Sequence, residues 1–203
     1  MNKNKVRLKY DVHSNESAAQ FATAAPKHRT HLRLNMAYHN MDNIQTALQV
    51  LLNRYGKTRN ITLEMYLNEN QEEYGGFKYN LSCWKKIFET RIVEHLVFSA
   101  VPLTFRMIYN NLPITHSVHT LSVNGVPLHH VPGTTATHSY FENRVIRSVR
   151  SLSLMECNLH DTDLLLILKT TTYAVQWQSE TLEKTITHRG YLETLDVRNN
   201  HLT

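Results

Sequence analysis

Thirteen histidines and two cysteines are the side chains of this sequence that could do chemistry near neutral pH. Imidazoles ligate divalent metals and carry protons, and a thiolate can ligate or attack. Both uses require several such groups to converge. The densest histidine groups are His129 with His130, His138, and His28 with His31. None forms the H-E-x-x-H spacing that puts two imidazoles on one helix face, and neither Cys83 nor Cys157 belongs to a C-x-x-C pair. The stretch H-H-V-P-G-T-T-A-T-H, residues 129–138, reads as a loop rich in Pro, Gly and Thr. Cys83 lies in L-S-C-W-K-K, where Lys85 and Lys86 could lower its pKa. Its place on a helix beside Trp84 favours a packing role instead. There is no G-x-S-x-G elbow and no Gly-rich phosphate loop. Gly75 and Gly76 follow the acidic run N-E-N-Q-E-E-Y, which would repel phosphate. The sequence therefore predicts scattered surface histidines, no catalytic or metal-binding residues, no cofactor and no enzymatic activity.

The 203 residues suffice for a real core in one or two domains, and the 41% hydrophobic fraction is ordinary for a globular chain. No apolar run reaches the 18 or more residues of a membrane span, and the basic start M-N-K-N-K-V-R-L-K-Y has no apolar stretch behind it. Two cysteines fit a reducing, intracellular compartment, so the sequons at Asn15, Asn60 and Asn80 read as chance matches. The net charge of +5 is concentrated in residues 1–33, which hold seven Lys/Arg against two acids; the remainder balances at fifteen of each sign. Nucleic-acid binding is accordingly not expected. Residues 1–27 read as a basic, partly flexible lead-in, although K-N-K-V-R-L-K-Y alternates as an edge strand would.

Positioning elements come from a repeat. Leu192, Leu195, Val197, Asn200 and Leu202 form L-x-x-L-x-V-x-x-N-x-L, and Val149–Leu159 matches it with Cys157 in the Asn position. Val118–Leu128 and Val93–Leu103 match apart from valine in that position. Weaker copies centre on Ile61 with Leu63 and on Leu32 with Leu34, where the Asn position falls on Tyr66 and Ala37. Helical periodicity fills the gaps. Ile44, Ala47, Leu48, Leu51 and Leu52 form one face behind Asp42 as a possible cap, and Leu81, Trp84, Ile87 and Phe88 form another. Shorter helices are expected around Phe105–Leu112, around Tyr140–Val145, from Asp161 or Thr162 with Leu164, Leu165 and Leu168 inward, and behind Ser179.

This template resembles the leucine-rich-repeat family, in its ribonuclease-inhibitor-like branch, over residues 28–203. The resemblance implies an α/β solenoid of about six strand–helix units, the last incomplete. A parallel sheet would line the concave face and helices the convex one. Alternation of strands and helices by itself would also permit an ordinary βαβ domain. Strand alternation then sends Arg33, Thr62, Glu64, His95, Val97, Thr120, Ser122, Asn124, Ser151, Ser153, Met155, Thr194, Asp196 and Arg198 to the concave side, with His31, Asn35, Asn60 and Ser99 beside them. Such a face implies a non-catalytic module that binds protein partners there or at its ends. The oversized unit from Cys157 to Lys184 is similar to one in a centrosomal leucine-rich-repeat family, implying a cytoplasmic, cytoskeletal or ciliary scaffold. A substrate-recognition subunit of a ubiquitin-ligase-type complex and a GTPase regulator are the alternatives. The open C-terminal edge is expected to be covered by a partner, a second copy or further chain.

Overall fold

In a computed structural model of the chain, residues 8–24, 30–55, 61–68, 81–90, 92–101, 118–126, 149–165 and 192–203 are described. The elements are β1 (Leu8–Val12), α1 (Asn15–Thr23), β2 (Thr30–Asn35), a 3-10 turn (Tyr38–Asn40), α2 (Met41–Tyr55), β3 (Ile61–Tyr66), α3 (Leu81–Glu89), β4 (Val93–Ser99), β5 (Thr120–Asn124), β6 (Ser151–Met155) and β7 (Thr194–Asp196). The expected helices after β4 and β5, the second helix of the long unit, the paired glycines and the His129–His138 loop lie outside the described residues.

All seven strands form one parallel sheet in strict chain order. A doubly wound domain would reverse direction at a switch point; this sheet does not. Between strands, α1 packs on α2 and α2 on α3. Helix α1 begins at a capping box in which Ser14 Oγ accepts the Ser17 amide at 3.2 Å and Ser17 Oγ accepts the Ser14 amide at 2.9 Å. The Arg54 guanidinium of α2 donates to the Ala22 and Ala24 carbonyls at the other end of α1.

The core follows from alternation. Leu32 and Leu34, Leu63 and Met65, Leu96 and Phe98, Leu121 and Val123, and Leu152 and Leu154 form paired inward columns, all buried. Ile44, Ala47, Leu48 and Leu51 of α2 and Trp84, Ile87 and Phe88 of α3 cover them, as their spacing predicts. Each side chain so buried is worth about 1.5–3 kcal/mol. Leu195 of β7 and Leu192 and Val197 on either side of it are only partly buried, because no described strand follows them.

Several details differ from the sequence reading. Leu32 pairs with Leu63 instead of Ile61, so the second copy is displaced by two residues. A bulge opposite Ile61 and Thr62 absorbs Glu94 and restores the inward phase at Leu96. Within the stretch read as a lead-in, β1 pairs with β2 and α1 follows it, making seven strands where about six were expected. Finally, α2 starts before Asp42, which stands in its first turn. The helical turn after Cys157 starts at Asp161, with Asp163 Oδ2 accepting the His160 amide at 2.8 Å; Leu165 there is exposed instead of inward.

Strand ends repeat as closely as strand bodies. Ala100, Gly125 and Glu156 each follow the outward residue at the top of a strand, and Asn199 follows Arg198 at the corresponding level beyond β7; all four are left-handed, with φ of 53°, 65°, 56° and 59°. The amides of Met36, Leu67, Ala100, Gly125 and Glu156 donate one strand onward, to the carbonyls of Tyr66, Ser99, Asn124, Met155 and Arg198. A side-chain rung lies beneath. Cys157 Sγ donates to the Val123 carbonyl at 3.1 Å, and Asn200 Nδ2 donates to the Leu154 carbonyl at 2.7 Å. Asn40 does the same for the Val12 carbonyl at 3.0 Å. The sequence reading put Ala37 in that position, but the 3-10 turn brings Asn40 round to it, three residues later. The corrected register of β3 places Asn68, not Tyr66, in the equivalent slot.

Candidate functional site: the outward face of the sheet

The outward residues of the strands stand in three rows set by the ladder register. The first row runs His31, Thr62, His95, Thr120, Ser151, Thr194, and the second Arg33, Glu64, Val97, Ser122, Ser153, Asp196. The third runs Asn35, Tyr66, Ser99, Asn124, Met155, with Arg198 beyond β7 placing Nη2 3.4 Å from Met155 Sδ. All fourteen sequence-predicted residues are therefore brought onto one face. The displacement of β3 changes who meets whom: Arg33 faces Glu64 and not Thr62.

That pairing builds a closed charge cluster over β1–β3. Arg33 Nη1 donates to Asp11 Oδ2 at 2.8 Å, and Arg33 Nε lies 3.0 Å from Glu64 Oε2. The same carboxylate oxygen meets His31 Nε2 at 2.8 Å. Tyr66 donates its hydroxyl to Asp11 Oδ1 at 2.7 Å, and the Arg33 guanidinium carbon stands 4.2 Å from the centre of the Tyr66 ring. Asp11 and Tyr66 are members that the sequence reading missed. The alternation in K-Y-D-V carried a signal for Asp11; only the corrected register identifies Tyr66.

The cluster tunes its own charges. Burial opposes ionisation of Glu64, but hydrogen bonds and attraction from His31 and Arg33 outweigh it and hold the carboxyl below its usual range. Burial likewise disfavours the Arg33 cation, yet Glu64 and Asp11 more than compensate and raise its pKa. For Tyr66, burial and the bond to Asp11 push the phenol up to about 12. At the far end of the face Arg198 closes on Asp196 at 2.7 Å, an exposed pair. At the lower edge Glu94 stands 3.6 Å from His119 and 3.9 Å from His95.

Between these ends the face is small and uncharged. Hydroxyls meet across strands there, Thr194 Oγ1 donating to Ser151 Oγ at 2.7 Å. Four buried polar atoms on this face, Thr62 Oγ1, Asn124 Oδ1, Ser153 Oγ and Arg33 Nε, have no hydrogen-bond partner among the described residues, although Arg33 Nε lies within ion-pair distance of Glu64. Both thiols are buried. Burial raises the Cys83 pKa despite the lowering effect of Lys86, and pushes Cys157 up to about 11. Neither is therefore poised as a thiolate nucleophile. Among the described residues no three His, Cys, Asp or Glu side chains are placed to share a metal ion, and no helix is long and apolar enough to cross a membrane. Comparison with protein-family models, curated proteins and solved structures returns no match.

Proposed function

We propose that this chain is a non-catalytic module of the leucine-rich-repeat type, a solenoid that binds a protein partner on the outward face of its sheet. The observation that carries this reading is the strictly sequential parallel order, with one left-handed turn recurring at one level after four strands. Cys157 and Asn200 rungs in the template position, and a displaced rung at Asn40, support it further. Units that cannot cover their own apolar side must stack, and stacking leaves an extended ordered face.

The chemistry of that face favours a protein over a polyanion. Its charged ends are internally paired, so they offer no basic track for phosphates. Its centre offers hydroxyls, Val97 and Met155, which suit recognition by shape and hydrogen bonding. On the resemblance of the oversized unit, cytoskeletal or centrosomal proteins in the cytoplasm are the first partners to test. The experiment is affinity capture with quantitative mass spectrometry, comparing the wild-type chain with a Ser122→Arg/Ser153→Arg variant of unchanged circular dichroism. A defined set of proteins should be lost with the variant. Identical capture profiles would remove the face from the function, and ligase subunits in the lost set would move the reading to the ubiquitin-ligase alternative.

A further inference from the structure

The one bulge among the described strands puts a carboxylate where strict alternation would not. Leu96 and Phe98 of β4 point inward, and His95 and Val97 point outward. Counting back from Leu96, Glu94 should point inward and Val93 outward. Opposite Ile61 and Thr62 the register shifts instead: Val93 is buried in the core, and Glu94 emerges beside His95. An extra residue in a strand is a common way of re-aiming one side chain. Here it keeps a charge out of the core, where losing water would be costly, and delivers it to the lower edge of the outward face.

Glu94 differs from the other acids of that face in what meets it. Asp11 and Glu64 contact Arg33, Glu193 contacts Arg150, and Asp196 contacts Arg198. Among the described residues Glu94 meets only imidazoles. Its Oε1 stands 3.6 Å from His119 Nδ1 and its Oε2 3.9 Å from His95 Nε2. Each oxygen faces a different ring, and the two rings do not converge to share a metal ion. Across the ladder, His95 has Thr62 on β3 and Thr120 on β5 beside it. The Arg150 amide donates to the His119 carbonyl, while the Arg150 side chain turns to Glu193. With both imidazoles neutral, the corner therefore carries one negative charge that no arginine or lysine offsets. Imidazoles gain their proton between about pH 8 and 5. With both protonated, the same corner is a net cation.

We infer that Glu94 receives a lysine or arginine from the partner segment bound on the outward face, and that His95 and His119 release it in mild acid. This rests on the outward face being a protein-binding surface. It adds the charge of the segment bound there and the condition under which it leaves.

A random peptide library selected on the immobilised 203-residue chain at about pH 7.5 tests it. Binders should be enriched in Lys and Arg. The net charge of +5 on the whole chain works against such peptides, so the global field cannot produce that enrichment. Glu94→Gln, at a half-exposed position, should leave the circular dichroism unchanged and weaken the binders about threefold. On the wild-type chain the same peptides should weaken about fivefold or more from about pH 7.5 to about pH 5.5. His95→Gln combined with His119→Gln keeps the carboxylate and should hold them at both. Binders without basic enrichment, binders indifferent to Glu94→Gln, or acid release undiminished in the double variant would each overturn the inference. If binders ignore Glu94→Gln but are lost with Ser122→Arg/Ser153→Arg, the outward face remains the binding surface and only the inference falls; indifference to both removes the wider reading too. Stoichiometric zinc on the wild-type chain, lost with Glu94→Gln, would assign the corner to a metal and overturn the inference.

Discussion

Replacing Asn200 with alanine tests the repeat reading at the point where most of it meets. Four short bonds tie the side chain to backbone, beside a fifth, longer one from Nδ2 to the Arg198 carbonyl at 3.2 Å. Its Nδ2 donates to the Leu154 and Val197 carbonyls, each at 2.7 Å, and its Oδ1 accepts the amides of Cys157 and Leu159, each at 3.0 Å. A net worth of about 0.5–1.5 kcal/mol per bond would give up to about 6 kcal/mol in a sealed core. Asn200 is only half-buried, just beyond the last described strand, so water can replace part of this; about 2–3 kcal/mol is expected. Asn200→Asp should cost as much, because a carboxylate keeps the acceptor and turns both donors into repulsions against carbonyls. Cys157→Ser keeps a donor toward Val123 and should cost about 1 kcal/mol or less. Urea titration reads the global change, and hydrogen exchange reads the local one. The amides of Cys157 and Leu159 should exchange on the order of thirtyfold faster in Asn200→Ala, the equivalent of about 2 kcal/mol at 1.4 kcal/mol per tenfold. A cost below about 0.5 kcal/mol with unchanged exchange at both amides would show that Asn200 is not a rung.

Three further outcomes follow from the charge cluster and the turns. Because the folded-state pKa of Tyr66 is raised, its contribution is intact below its ordinary value of 10.0 and is lost as pH rises toward about 12. Thermal melts should lose about 1–2 kcal/mol over that interval after solvent screening, and Tyr66→Phe should not show this loss. The Glu64 carboxyl is depressed, so its contribution is present above 4.5 and disappears as pH falls through its lower folded value. Glu64→Gln should therefore be less stable than wild type at neutral pH, by about 1–2 kcal/mol, with the gap closing in acid; a pH-independent gap would contradict the assigned network. Gly125→Ala should destabilise by about 1 kcal/mol through its left-handed φ alone, since a Cβ there would stand 3.9 Å from the nearest neighbouring atom. Chemical denaturation that leaves Gly125→Ala level with wild type would place no strain at that turn.

How much of this was legible in the sequence depends on which residues carried the signal. The last two copies were readable because Cys157 and Asn200 mark the phase. The second copy slipped because Ile61, Leu63 and Met65 all point inward, and a period of two cannot say which pair is first. Only pairing with Leu32 settles that. Strand β1 alternated as an edge strand would, but the basic residues of K-N-K-V-R-L-K-Y fitted a solvated lead-in as well. Asn40 was invisible as a rung because a 3-10 turn displaces it from the template position. The outward face was legible from alternation, but its charge cluster was not. Asp11, Arg33 and Glu64 are far apart in the chain, and a two-residue error in β3 separates the last two.

The left-handed turn and the rung beneath it sit at the same end of every strand they occupy. Each strand is therefore indexed from its top, and what happens before its lower end matters little to its alignment. The chain uses this freedom: the step from Tyr10 to Leu32 is half the step from Leu152 to Leu195, yet both land level. Insertions between units should change what the helical side displays without moving a single outward residue out of its row, so that the two sides of this molecule can diversify independently of each other.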